Sequence, residues 1–187
     1  MVKVLILLAP GFEEIEAITP IDYLRRAGAE VTTASVGHND LNVKGAHDVT
    51  IKADVKFTDV HTQLFDAIVC PGGMPGTKNL AKTKEVIDAL HAHEKAGKVV
   101  AAICAAPGFV LAEAAQLLKG KNACGYPGSD EKITENGGHK NENPVTVDGN
   151  IITSRGPGTA YKFALALIEK LVGADKAQEV GKGTLNL

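Results

Sequence analysis

The chain lacks any run of about 18 apolar residues, the minimum for a helix to cross a bilayer core, so no transmembrane helix is expected. It has no N-x-[ST] acceptor for glycosylation and no GxxxxGK[ST] phosphate cradle. Charge of one sign is not in excess: 20 Lys and Arg against 22 Asp and Glu leave a formal net charge of −2. With both signs spread along the chain, a dedicated nucleic-acid or membrane surface is not expected. Cysteine is sparse. Cys70, Cys104 and Cys124 cannot all pair internally and show no metal-type spacing, which fits a reduced, cytoplasmic compartment. The six histidines are scattered, and His91 and His93 lie two apart on a predicted helix, where they cannot share an ion on one face. No metal site is therefore expected. The apolar start, Met1 to Pro10, is too short for a signal peptide and runs directly into Glu13, Glu14 and Glu16, so it reads as a strand.

What is present is the alternation of an α/β domain. The 187 residues, 44% of them hydrophobic, suit one domain spanning 1–187 with a substantial core. Val2 to Leu8, Glu30 to Ser35, Ala67 to Cys70 and Val99 to Ile103 read as strands, and the first is apolar throughout, as in a parallel strand buried on both faces. Between them, Ile15, Ile18, Ile21, Tyr23 and Leu24 give a helical face that ends at Arg25-Arg-Ala-Gly28, and Lys82 to Lys95 gives another helix. Residues 38 to 56 carry short β-like pieces, a hairpin excursion. Val145 to Val147 and Ile151 to Thr153 flank an Asp148-Gly149 turn, and helices are predicted over Ala105 to Leu118, Thr159 to Leu171 and Asp175 to Val180. Strands alternating with helices predict a mostly parallel sheet covered on both faces, with ligands beyond the carboxyl ends of its strands. The Pro10–Glu16 loop, Gly72-Gly73, Cys104 and Ser154-Arg-Gly156 fall at that edge.

The most specific feature is Lys98-Val-Val-Ala-Ala-Ile-Cys-Ala-Ala-Pro-Gly108, in which Cys104 sits in the sharp turn from a buried strand into a helix. Such an elbow pushes a nucleophile out of the sheet, and the unpaired N–H groups of the helix start favour thiolate over thiol. The alternative is an inert core cysteine, the reading given to Cys70 and Cys124. Glu13 and Glu14 are accounted for as acids that complement a helix dipole. Glu16 falls in register with the apolar face, so it is expected to point inward, with a carboxyl displaced towards its protonated form and able to pass protons. The backbone N–H groups of Gly72, Gly73 and Ala105 offer an oxyanion hole. Gly156-Pro-Gly158 lacks the third glycine of a dinucleotide fingerprint, so nicotinamide binding is discounted. His139, in Asn136-Gly-Gly-His139, is the one histidine in a rim-like loop.

Leu7-Ala-Pro-Gly-Phe-Glu-Glu-Ile-Glu16, Arg25-Arg-Ala-Gly28, Pro71-Gly-Gly73, Ala101-Ala-Ile-Cys-Ala-Ala-Pro107, Asn136-Gly-Gly-His139 and Thr153-Ser-Arg-Gly-Pro-Gly-Thr159 follow one another as in the ThiJ/PfpI superfamily, which this chain resembles over nearly its whole length. The nearest look is to the branch of the parkinsonism-associated deglycase and its bacterial relatives. The resemblance implies a flavodoxin-like three-layer sandwich, a homodimer, and an oxidation-sensitive Cys104 beside a protonated Glu16. It matches Gly72, Gly73 and Ala105 to the backbone donors around that cysteine, and Arg26 and Pro157 to positions near the dimer interface and the site. Where some members carry a histidine, this chain has Tyr126-Pro127, which speaks against a Cys–His–acid hydrolase. The implied activity is a cofactor-independent conversion of methylglyoxal or glyoxal to hydroxy acids, or deglycation of early adducts on proteins and nucleotides. The implied alternative is an oxidative-stress sensor or redox-regulated chaperone working through Cys104.

Overall fold

The computed structural model describes residues 1–186. In chain order the strands are β1 (Lys3–Leu8), β2 (Glu30–Ser35), β3 (Asn42–Lys44), β4 (Thr50–Lys52), β5 (Val55–Lys56), β6 (Ala67–Cys70), β7 (Val99–Ile103), β8 (Asn122–Ala123), β9 (His139–Lys140), β10 (Val145–Asp148) and β11 (Ile151–Ser154). The α-helices are α1 (Glu14–Arg26), α2 (Gly76–Lys82), α3 (Lys84–Lys95), α4 (Glu131–Glu135), α5 (Ala160–Leu171) and α6 (Ala174–Gly183), and a π-helix spans Pro107–Ala114. Seven strands form one sheet in the order β10-β11-β7-β6-β1-β2-β5, parallel except for the antiparallel β10–β11 pair.

The five long parallel strands, counted along the chain, lie in the order 2-1-3-4-5, the flavodoxin-like winding. The order reverses between β1 and β6. Connections leave that point in opposite directions and open a crevice above the carboxyl ends. Alternation along each strand sorts the core into two layers. Val4, Ile6, Leu8, Val99, Ala101 and Ile103 face Ala17 and Leu24 of α1 and Phe163 and Leu167 of α5. Leu5, Leu7, Ile68, Val100 and Ala102 face Val86 and Leu90 of α3 and Val110 and Leu111 of the π-helix. Each fully buried Leu, Ile or Phe contributes about 1.5–3 kcal/mol, which is why β1, β6 and β7 read as unbroken apolar runs.

Several elements depart from the predicted ones. The helix expected over Lys82–Lys95 begins afresh at Lys84, with Gly76–Lys82 as a separate helix before it. The helix after Cys104 is wound as a π-helix: Ala115 N–H donates to Val110 O, five residues back, at 2.9 Å. Ile15 and Ile18 do not form a core face on α1, being 53% and 44% exposed. The buried side of α1 carries Glu16, Ala17, Pro20, Tyr23 and Leu24 instead. The hairpin excursion is the β3–β4 pair, and β5 rejoins the main sheet beside β2.

One buried polar side chain joins two layers. His93 is fully buried on α3; its Nε2 accepts the Phe65 N–H at 3.1 Å and its Nδ1–H donates to Ala89 O at 2.7 Å. Burial holds the imidazole below its ordinary value of 6.5, and protonating Nε2 would remove the acceptor that Phe65 needs. The unfolded chain therefore binds this proton first as pH falls, so the contribution of His93 is complete above pH 6.5 and is lost progressively below it. Urea unfolding at pH 7.5 and 5.5 should show a smaller loss on acidification for His93→Gln than for the wild type.

Candidate active site

The site forms where three carboxyl-end segments meet at the switch point between β1 and β6. From β7 comes Cys104, whose φ of +67° lies in the left-handed region that a non-glycine residue enters at a cost of about 1–3 kcal/mol. Its backbone is clamped from both sides. The Cys104 N–H donates to Ser154 O at the end of β11 at 2.9 Å, and its carbonyl accepts the Tyr126 N–H at 2.8 Å. The turn into the helix is thus taken within one residue, which leaves the side chain at the cavity floor, 9% exposed. The N–H groups of Gly73 and Ala105 lie on the side of the sulfur and favour its charged form.

From the first turn of α1 comes Glu16, which is fully buried. Its Oε2 accepts the Gly72 N–H at 2.8 Å, while Oε1 has no conventional hydrogen-bond partner and the adjacent Cys104 thiol bears on the carboxyl. From the end of β6 come Gly72 and Gly73, and neither position tolerates a side chain. A Cβ on Gly72 would lie 2.5 Å from Glu16 Oε2 and 2.6 Å from Cys104 Cβ; one on Gly73, at φ +88°, would lie 2.3 Å from the Glu13 nitrogen. These glycines are what allows the carboxyl and the thiol to meet.

The electrostatics correct one expectation. Burial raises Glu16 to about 7, against the Cys104 and Gly72 hydrogen bonds and with help from the negative charge of Glu13. Cys104 does not gain a lowered value from the helix start. Burial, then the charge and hydrogen bond of Glu16, push it up to about 12, over the downward pull of the Gly73 and Ala105 N–H groups. Two of those upward causes belong to an ionised Glu16. Protonate that carboxyl and its repulsion disappears, while its hydroxyl becomes a donor to sulfur. The pair therefore has room for one negative charge, and a proton moves between its members.

A cavity of about 320 Å³ opens above the pair, lined by Glu13, Glu16, Gly73, Met74, Cys104, Ala105, Tyr126, Ser129 and Pro157. Of the positions expected from sequence, Cys104, Glu16, Gly73, Ala105, Tyr126 and Pro157 come together here. Gly72 is adjacent, but its N–H is taken by Glu16 and does not face the cavity. Arg26 is at the far end of α1, paired with Asp22 at 2.7 Å, and His139 is exposed on β9; neither lines the cavity. Sequence reasoning missed Glu13, Met74 and Ser129. Glu13 and Glu14 do open α1, as its N-cap and first residue, and both are also buried. Glu14 accepts the His47 N–H at 2.7 Å and lies 3.0 Å from His47 Nδ1, which is also 3.1 Å from Glu13 Oε2. These three side chains place donor atoms within 4.8 Å of one another and are the group among the described residues that could hold a metal ion. Thirty-three residues separate Glu14 from His47, so spacing gave no signal of it.

The raised Glu16 value has a measurable cost. A carboxyl shifted from 4.5 to about 7 stabilises the fold fully below pH 4.5 and loses that contribution as pH rises through 7. Glu16→Gln, neutral at every pH, should match the wild type in urea unfolding at pH 4.5 and exceed it by about 2–3 kcal/mol at pH 8.5.

Comparison with known proteins agrees with this geometry. The family model described as DJ-1/PfpI matches residues 2–170. Protein dj-1beta of Drosophila melanogaster is 44% identical over 181 residues, covering 97% of this chain and 95% of that protein. The protein of Caenorhabditis elegans named glutathione-independent glyoxalase DJR-1.2 is 38% identical over 179 residues, covering 95% and 93%. The crystal structure of a cysteine-to-alanine mutant of a DJ-1 superfamily protein from Salmonella typhimurium superposes with a TM-score of 0.94 at 36% identity, covering 100% of both chains. A cysteine elbow against a buried glutamate, in a sheet of this winding and in a sequence this similar throughout, places the chain in the DJ-1/PfpI family.

Proposed function

We propose that the protein is a cofactor-independent glyoxalase, converting methylglyoxal or glyoxal, free or as early adducts on proteins and nucleotides, to the 2-hydroxy acid. The observation that carries this reading is the Glu16 carboxyl, raised to about 7 and set against the Cys104 thiol in a cavity of small-molecule size. The Cys104 sulfur adds to the aldehyde carbon and the thiol proton passes through Glu16 to the aldehyde oxygen, giving a hemithioacetal. The Gly73 and Ala105 N–H groups steady the charge on oxygen. Ionised Glu16 then removes the proton from that carbon and returns it to the neighbouring carbonyl carbon, while the hydroxyl proton on the first carbon passes to the oxygen of the second. The product is a thioester of the hydroxy acid, and water cleaves it, releasing lactate from methylglyoxal and restoring the thiol. One relative of similar length is named a glutathione-independent glyoxalase, which supports this choice.

A second reading has its own observation in Glu16 Oε1, buried without a conventional partner beside the sulfur. Two equivalents of peroxide would oxidise the thiol to a sulfinic acid and be reduced to water, and Glu16 would hydrogen-bond the new oxygens. In that case the protein is an oxidative-stress sensor or redox-regulated chaperone. We propose a cytoplasmic location for either role, in keeping with three free cysteines. Both fit a homodimer, since α1 presents Ile15 and Ile18 to solvent close to Glu16.

Purified protein should form lactate from methylglyoxal without glutathione. Cys104→Ser should abolish this and Glu16→Gln should lower kcat/KM by about 10²–10⁴-fold. The wild-type kcat/KM should rise with pH through about 7, and Glu16→Gln should lack that limb. Absence of turnover, together with Cys104-dependent protection of cells from peroxide, favours the sensor. In sedimentation the chain should run as a dimer, and Ile18→Asp as a monomer.

A further inference from the structure

Nothing in the conversion of an aldehyde to a hydroxy acid requires a second carboxylate in the cavity, yet Glu13 is there. It is 8% exposed and lines the wall together with Glu16 and Cys104. Its position is fixed. The Glu13 N–H donates to Gly72 O at 2.9 Å, Oε1 accepts the Ile15 N–H at 3.3 Å, and Oε2 lies 3.1 Å from His47 Nδ1. No Lys, Arg or His side chain is among the lining residues, whose remaining side chains are small, apolar or uncharged. The basic side chain that meets Glu13, His47, is mostly exposed and is shared with Glu14 at 3.0 Å, so two carboxylates divide one imidazole. The neighbouring Lys44 is spent on Asp48 at 2.6 Å. The field in the cavity is therefore negative before any ligand enters, and low-dielectric walls concentrate it.

We propose that Glu13 is a charge selector for the Cys104 cavity. It admits neutral carbonyl compounds and those carrying an amine or guanidinium, and it rejects compounds with a carboxylate close to the reacting carbonyl. This deepens the glyoxalase reading and rests on it for the identity of the substrates. Rejection works by repulsion of the wrong ligand, in addition to attraction of the right one. An early adduct on a lysine or arginine side chain carries its nitrogen into favourable potential. A 2-oxoaldehyde ending in a carboxylate brings a third negative group towards Glu13 and Glu16.

Alkylation of Cys104 reads the selection without any turnover. Iodoacetamide and iodoacetate form the same S–C bond with loss of iodide and differ in charge. Cys70 and Cys124 are fully buried, and peptide mass spectrometry isolates the Cys104 adduct. The thiol's own reactivity enters both rates and cancels in their ratio. Relative to 2-mercaptoethanol, wild-type protein should prefer iodoacetamide by about tenfold, and Glu13→Gln should remove most of that preference. Glu14→Gln, one residue away but outside the cavity wall, should keep it. In turnover, the kcat/KM ratio of methylglyoxal to 4,5-dioxopentanoate should fall about tenfold in Glu13→Gln. An unchanged alkylation ratio in Glu13→Gln, or an equal change in Glu14→Gln, overturns the proposal even if methylglyoxal is consumed. A ratio that responds as expected while neither aldehyde is turned over upholds the selector and removes the enzyme.

Discussion

The meeting of one buried carboxyl with one thiol governs the local design. Glu16 has no water to solvate its charge, and Cys104 has Glu16 for a neighbour, so the two groups hold a single negative charge between them. The backbone around them is shaped to make the meeting possible. Gly72 is bare because a methyl group would collide with both partners, and Cys104 takes a left-handed φ so that its sulfur leaves the plane of the sheet. Gly73 takes a positive φ where a Cβ would strike the backbone of Phe12 and Glu13. Each is a small expense in stability, and they are concentrated in a few residues of the switch point.

The rest of the molecule offsets that expense. β1, β6 and β7, the three strands whose ends carry the site, are almost entirely buried and packed on both faces. A strained elbow persists only when its surroundings over-determine it. Here β11 holds the Cys104 N–H and the Tyr126 N–H holds its carbonyl, so the turn has no alternative path. The site is rigid because it ends rigid strands, and its precision is inherited from the sheet.

The sheet and the elbow were legible because both rest on short-range signals: unbroken apolar runs for buried strands, a cysteine at the seam of strand and helix, glycines after β6. Glu16 was found for the wrong reason. Its inward orientation was inferred from an apolar register that included Ile15 and Ile18, yet those side chains face solvent and Glu16 is buried with Ala17, Pro20 and Leu24. Apolar periodicity reports the faces of a helix that meet apolar matter, and it cannot say which of two faces meets the helix's own sheet. The π-helical winding was also invisible, because helix propensities do not distinguish four-residue from five-residue hydrogen bonding. Gly108 in that helix marks a close backbone approach instead, since a Cβ there would lie 2.0 Å from Ser129 O. The direction of the Cys104 shift was misread because a helix dipole was weighed without the burial of the thiol and, after it, the carboxylate neighbour.

Surface hairpins are ordinarily where a chain accepts insertions and deletions most readily. The tip between β3 and β4 is an exception. Glu14 Oε1 accepts N–H groups from His47 and Val49, Ala46 N–H donates to Phe12 O, Gly11 N–H donates to Lys44 O, and a Cβ on Gly45 would strike the Glu14 carboxyl at 2.3 Å. The backbone of an exposed loop is thus written in the same register as the helix start that carries Glu13 and Glu16. Its outward side chains are free to drift over evolutionary time, whereas its length is not: adding or removing one residue there would shift every one of these contacts at once.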